Sequence, residues 1–413
     1  MDFKRTQTAL KNNVIYFVRW TCISVIMGVL CGLVGAAFGH GVAISQQFFR
    51  DHGFMLYLMP VSGILIVLVH KLFNQVGNKG TNVVIDSVSG SERIRISTLP
   101  TIFISTILSH LVGASAGKEG AALQIGGSIG NFLGDFLKLD EKDKKVAIMC
   151  GMSGCFGAVF GTPLAASMFG MEVISIGVAY YAALVPCVFA AFIGAEVSHT
   201  LGLHAEAFTI LHVPEFGFPT VLHSIGIGML SAVISICFCI LLHESYKLYY
   251  QNLYIHVIAA SVLFIMLTLL FGRDYCGAGF NLVEEAMHGE SAYEAFLLKM
   301  LFTAVTFGGR FKGGEIVPTL AIGATLGAAY GNLLGFEPSL CAACGMLGLF
   351  VGVTNCPIAT MFLGFELFGL EAMPYFAVTV AISFALSGYY GLYGSQKFTY
   401  SKIKTEFINI RAH

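Results

Sequence analysis

Long apolar runs with almost no charge set the first limit on what this chain can fold into. Stretches 14–38, 54–73, 219–242, 254–271 and 373–390 are of this kind, and a helix needs about 20 apolar residues to cross a hydrocarbon core. Others, at 120–137, 146–160 and 316–334, are shorter or interrupted by glycine and proline. The whole chain is 56% hydrophobic and 11% charged, against roughly 25% charge in an ordinary soluble domain. Lipid offers no partner for free N–H and C=O groups, so such runs form helices. The sequence predicts an all-α polytopic membrane protein.

The remaining composition narrows the function. A net charge of −1 gives no electrostatic footprint for nucleic acid. Lys4, Arg5, Lys11 and Arg19 surround the first apolar run, which favours a cytoplasmic N-terminus and a polar segment over 1–13. The eleven cysteines fall mostly within apolar stretches, and the pair Cys341 and Cys344 has no second pair or nearby histidine to complete a metal site. They read as small packing residues. No cofactor or metal is expected. Membrane lipid is an expected partner, and the plasma (inner) membrane the expected location.

The chain also resembles itself. NKGTNVVIDSVSG (78–90) matches GAGFNLVEEAMHG (277–289), and LQIGGSIGNFLG (123–134) matches LAIGATLGAAYG (320–331). GMSGCFGAVFGTPLAASMFGME (151–172) matches GMLGLFVGVTNCPIATMFLGFE (345–366), and the offset drifts only from 199 through 197 to 194. The three matches keep their order, so two related halves are expected at about 14–210 and 215–395. They form one transport domain over 14–395, with a short polar tail at 396–413. Membrane repeats of this type place a site where the halves meet, built by broken helices.

Within that pattern, Lys118 and Glu119 are the only lysine, arginine or acidic residues between Arg95 and Asp135. A helix that starts inside a membrane leaves N–H groups unpaired and carries partial positive charge at its start. Glycine lets such groups approach an anion closely. The segments KGTNVV, GKEGAAL, GAGFNL and GGEIVP each put glycine ahead of an apolar helix. A carboxylate at such a start occupies the place an anion would take, and protonating it frees the site.

These residues resemble the CLC family of anion channels and proton-coupled antiporters over nearly the whole chain. GKEGAALQ is similar to that family's G-[KR]-E-G-P motif, GGEIVP to its G-G-x-F-x-P motif, and Tyr393 stands at the position of its anion-contacting tyrosine. The resemblance implies a CLC-type fold of two inverted repeats, whose broken helices meet at a central anion site. It also implies a homodimer with one anion pathway per subunit, and no regulatory nucleotide-binding-type domain. NKGTN replaces the chloride-type G-S-G-I-P, Val173 stands where chloride-type antiporters carry an inner glutamate, and Glu315 lies in the GGEIVP loop. That combination resembles the fluoride/proton antiporter branch, although Val317 replaces its usual threonine.

The expected roles follow from the resemblance. Glu119 gates, and Glu315 shares in proton coupling. Lys79, Gly80, Gly117, Lys118, Gly120, Gly314, Ile316, Val317 and Tyr393 surround the anion. The transported species are a halide, fluoride or chloride, and protons. The expected function is fluoride export in exchange for protons, and a chloride channel or chloride/proton antiporter is the alternative. Glu172 and Glu366, matched by the repeat, read as structural groups bonding loop backbone. An intramembrane serine hydrolase using Ser128 of GGSIG would need a strand–turn–helix setting that the sequence does not offer, so an enzyme is not expected.

Overall fold

A computed structural model describes residues 3–248 and 252–413, with the backbone alone described for residues 3–6, 8 and 9. Met1 and Asp2, and the side chains of Lys4 and Arg5, therefore lie outside the described residues. The first part of the chain forms α1 (Phe3–Asp51), α2 (Met59–Leu72), α3 (Asn82–Ser89), α4 (Thr98–Leu111), α5 (Glu119–Phe136), α6 (Glu141–Phe160), α7 (Pro163–Glu172) and α8 (Leu184–Thr200). The second forms α9 (Phe218–Lys247), α10 (Leu253–Phe271), α11 (Phe280–Met287), α12 (Ala295–Gly308), α13 (Ile316–Leu334), α14 (Pro338–Thr354), α15 (Pro357–Phe368) and α16 (Met373–Leu386). The helices of the two halves follow one another in similar lengths: α3 and α11 each have 8 residues, α4 and α12 each have 14, and α5 and α13 have 18 and 19.

Among the described residues, six helical stretches are long and apolar enough to cross a membrane. Leu10–Asp51, Gly53–Leu72, Phe218–Lys247 and Leu253–Phe271 are among them. On α10, Met266, Leu269 and Leu270 stay exposed, as befits an apolar helix facing lipid. By contrast α5, α6, α13 and α14 are buried along most of their length and form the centre. Gly126 meets Gly151 and Gly323 meets Gly345 where these helices cross, which lets backbones approach without side chains between them.

Local chemistry sets the helix ends. Asp140 caps α6, its carboxylate accepting from the N–H groups of Lys142 and Asp143 at 2.9 and 2.8 Å. Those bonds, led by the one from Asp143, hold its carboxyl below the usual carboxylate range. Gly161 closes α6 in the left-handed conformation, φ 77°. Pro163 and Pro357 then start α7 and α15, where a missing N–H costs nothing.

The two ends of the chain carry secondary structure of their own. Helix α1 begins at Phe3, within the polar segment 1–13. The tail at 396–413 folds into a hairpin, β2 (Lys397–Tyr400) and β3 (Phe407–Arg411), and β2 pairs in parallel with β1 (Ser175–Ile176) after α7. Among the described residues the fold is all-α apart from this small sheet. Phe398 is fully buried beneath it. Lys402, between the strands, donates to the Phe384 carbonyl and the Ser387 hydroxyl, both at 3.0 Å, at the end of α16. A single buried aromatic among polar neighbours was too short a pattern to mark a strand.

Candidate functional site

Four backbone turns converge in the middle of the molecule. The turn before α5 and the turn before α13 are bonded directly, with Gly117 N–H donating to Gly314 O and Gly314 N–H to Gly117 O, both at 2.7 Å. A side chain on Gly120 would press on the Gly314 Cα at 3.0 Å and the Glu315 carboxylate at 3.1 Å. Glycine is needed here because two helix starts meet with nothing between them. Glu119 and Glu315 thus sit on facing helix N-termini.

The other two turns close around them. In the turn before α3, Gly80 has φ 67° and donates to the Asn78 side chain at 2.7 Å. Thr81 packs near Gly120, its hydroxyl 3.4 Å from that residue's carbonyl oxygen. Asn82 accepts from the Ser395 N–H at 2.9 Å, fastening this turn to the one that carries Tyr393. Gln396 holds that last turn from behind, donating to Val173 O and Thr354 O at 3.1 and 2.8 Å.

Glu119 is fully buried and folds back on its own helix start, where one carboxylate oxygen accepts from the Lys118 N–H at 3.0 Å. Its other oxygen has no hydrogen-bond partner, and neither do Glu315 Oε2 and the Tyr393 hydroxyl. Three buried polar atoms left open this way mark a place for a ligand or a proton, since an unmet polar group costs about 1–3 kcal/mol. Glu315 and Tyr393 line a cavity of about 300 Å³ together with Asn78, Thr81, Arg310 and Lys312. The lining offers cations, hydroxyls and side-chain amides beside one carboxylate, that of Glu315.

The expected residues are mostly gathered here, with two differences. Ile316 and Val317 are fully buried in the first turn of α13, and Val317 packs beside Gly117. Lys79 reaches the cavity rim, but its ammonium turns to the surface and pairs with Glu92 at 2.9 Å. Lys118 is the N-cap residue of α5 and lends the site its backbone N–H. Glu172 and Glu366 lie away from the site. Glu172 accepts from the Ile358 and Ala359 N–H groups at 3.2 and 2.9 Å, opening α15. Glu366 accepts from the Leu164 and Ala165 N–H groups at 2.7 and 2.9 Å, opening α7. Ser128 lies inside α5 with its hydroxyl on the Gln124 carbonyl at 2.8 Å, so it has no elbow to present it as a nucleophile.

Comparison with known proteins agrees with this architecture. The model of the family described as voltage gated chloride channel matches residues 61–388. The chain belongs to that family, the CLC family. It is 32% identical over 400 residues to the chloride/fluoride channel protein of Pseudomonas syringae pv. tomato, covering 94% of this chain and 88% of that one. It is 24% identical to the H(+)/Cl(-) exchange transporter ClcA of Vibrio cholerae, over 84% of this chain and 81% of that one. The solved structure of a CLC-type fluoride/proton antiporter superposes with a TM-score of 0.88 at 30% identity, covering 92% of this chain and 98% of that one. A slow cyanobacterial Cl−/H+ antiporter superposes at 0.76 with 18% identity, over 89% and 94% of the two chains, and speaks for the fold alone.

As a CLC-family protein, the chain carries halide across a membrane, as a channel or in exchange for protons, and is not an enzyme. Several cavity residues escaped the sequence reading. Gln124 lies five positions after Glu119 on α5, and its isolation in an apolar helix was the available signal. His243 and Tyr246 come from α9 and line the cavity, with Tyr246 facing Glu315. Their three-residue spacing, close to one helical turn, was the only trace in the sequence, since α9 meets the site by tertiary packing.

Proposed function

We propose that this protein exports fluoride in exchange for protons, with Glu119 as the gate and Glu315 as its proton-handling partner. What carries the reading is the paired backbone of Gly117 and Gly314, which sets the two carboxylates on facing helix starts. It is joined by Val173 at the position of a chloride-type inner glutamate. Ionised Glu119 holds the helix N–H groups that an anion needs. Protonated, it loses that attraction and yields them to the halide. Glu315 then accepts or returns a proton from the cavity side, close to Tyr246 and Lys312. Fluoride is small and strongly hydrated, so short donors such as the Tyr393 hydroxyl and backbone N–H groups suit it. The protein works as a homodimer with one pathway in each subunit.

Chloride transport is the second reading, and Val317 favours it. This residue is fully buried beside Gly117 and offers no hydroxyl, and the ClcA relatives are named as H(+)/Cl(-) exchangers. Purified protein in liposomes loaded with fluoride or chloride separates the two. Ion-selective electrodes record anion efflux while a pH electrode records proton uptake. Fluoride efflux that drives protons inward, and exceeds chloride efflux, supports the proposal. Equal efflux of both halides without proton movement defeats it.

A further inference from the structure

Away from Glu315, a second cavity of about 320 Å³ lies between the end of α1 and the start of α11. It shares no lining residue with the first. Its walls carry Arg50, His110, Arg273 and Asp274, with the loop Cys276–Asn281 at one side. That loop is the repeat counterpart of the turn before α3, and Gly279 has a left-handed φ of 102°, like Gly80 at 67°. The first N–H groups of α11 have no partner within their own helix.

Two buried side chains shape this cavity. Lys299 on α12 is 0% exposed and donates to Tyr275 O and Gly277 O at 3.1 and 2.7 Å. These bonds hold the loop carbonyls to the protein interior. His110, at 1% exposure, donates from Nδ1 to the Thr106 carbonyl at 2.8 Å. His110 is among the residues lining the cavity, and its buried Nε2 has no hydrogen-bond partner. Arg273 is fixed at the cavity edge, bonded to Phe49 O at 3.1 Å and stacked over the Phe49 ring at 4.7 Å.

We propose that this cavity is a second anion site of the pathway, which takes a small monovalent anion together with a proton on His110. With Nδ1–H used by Thr106, the neutral ring keeps a lone pair on Nε2 and has no proton to offer an anion. Adding a proton to Nε2 makes it a donor, and no bond other than N–H is formed. Lys299 from α12 and Lys118 from the turn before α5 act on the ring, and Arg50 from α1 with Arg273 and Asp274 from the loop line the same cavity. Cations outnumber the single carboxylate, so proton and anion bind together, each supplying the charge the other requires. Anion affinity therefore rises as pH falls.

The site is joined to the gate. Gly277 N–H donates to Gly113 O at 2.9 Å, and Ser115 meets Thr303 and Thr306 of α12 at 2.9 and 3.0 Å. The segment from Gly113 to Lys118 thus has the cavity at one end and Glu119 at the other. An anion held here waits one short segment from the gate.

This inference rests on the chain being an anion transporter, and its test does not depend on proton exchange. Full-length protein crystals soaked in bromide are measured by anomalous diffraction at pH 5 and pH 8. The expected result is a bromide peak between His110 and Arg273 that is stronger at pH 5. In His110→Gln the pH difference disappears, and in Arg273→Gln the peak weakens. In liposomes Arg273→Gln raises the anion concentration for half-maximal flux roughly tenfold. No peak in this cavity at either pH, or one of equal strength at both in wild type, overturns the proposal. Transport without proton movement would defeat the antiport reading and leave the bromide result standing.

Discussion

Gly126 of α5 faces the backbone of Gly151 in α6 so closely that a Cβ there would lie 2.1 Å from the Gly151 carbonyl oxygen. The repeat gives the same crossing in the second half, where a Cβ on Gly345 would lie 2.1 Å from the Gly323 carbonyl oxygen. The obstacle is backbone in a helix, which cannot swing aside as a side chain can.

Gly126→Ala therefore forces α5 and α6 apart and costs about 1–3 kcal/mol. Thermal unfolding in detergent should begin at a lower temperature. Gly77→Ala, with nothing within 4 Å of the added atom, serves as the control and should unfold with wild type. Equal unfolding of both variants would show that the crossing yields.

Glu172 and Glu366 each open the other's helix, each carboxylate accepting from two backbone N–H groups there. Replacing Glu366 by Ala removes two acceptors from the start of α7, a loss of about 0.5–2 kcal/mol by analogy with helix caps. Stability should fall while the ratio of protons to anions in surviving protein stays at the wild-type value. A changed ratio in folded protein would assign Glu366 to transport instead.

Glu119→Gln imitates the protonated gate and has no proton to release. Its amide also cannot hold the Lys118 N–H as an ionised carboxylate does. Anion movement should lose its dependence on a pH gradient, or stop. Wild-type exchange driven by protons in this variant would falsify the gate assignment.

Glu315→Gln leaves the bonded turns of Gly117 and Gly314 intact. Halide binding, measured by calorimetry, should stay within a few-fold of wild type, while proton-driven turnover falls. Val317→Thr returns a hydroxyl beside Gly117 and should raise the ratio of fluoride to chloride flux. A ratio unmoved by Val317→Thr removes that residue from anion choice.

Light scattering in mild detergent checks the assembly. A mass of two chains of 44.3 kDa each is expected, after correction for bound detergent. A single-chain mass would count against the homodimer.

The membrane architecture was legible from the residues alone, because hydrocarbon leaves uncharged runs no choice but internal hydrogen bonding. So was the repeat, since glycines such as Gly126 and Gly323 recur where helices cross. Glu119 and Glu315 were legible because an acidic residue beside glycine at the start of an apolar helix is conspicuous in a chain so poor in charge. Tertiary structure decided which turns touch. Nothing in the order of residues says that Gly117 bonds Gly314, that Lys79 turns outward to Glu92, or that α9 brings His243 and Tyr246 to Glu315. The polar tail became a hairpin because Phe398 and Lys402 found partners made by distant helices. A local pattern can specify a helix and its caps, but the worth of a polar side chain depends on the donors and acceptors that folding places beside it.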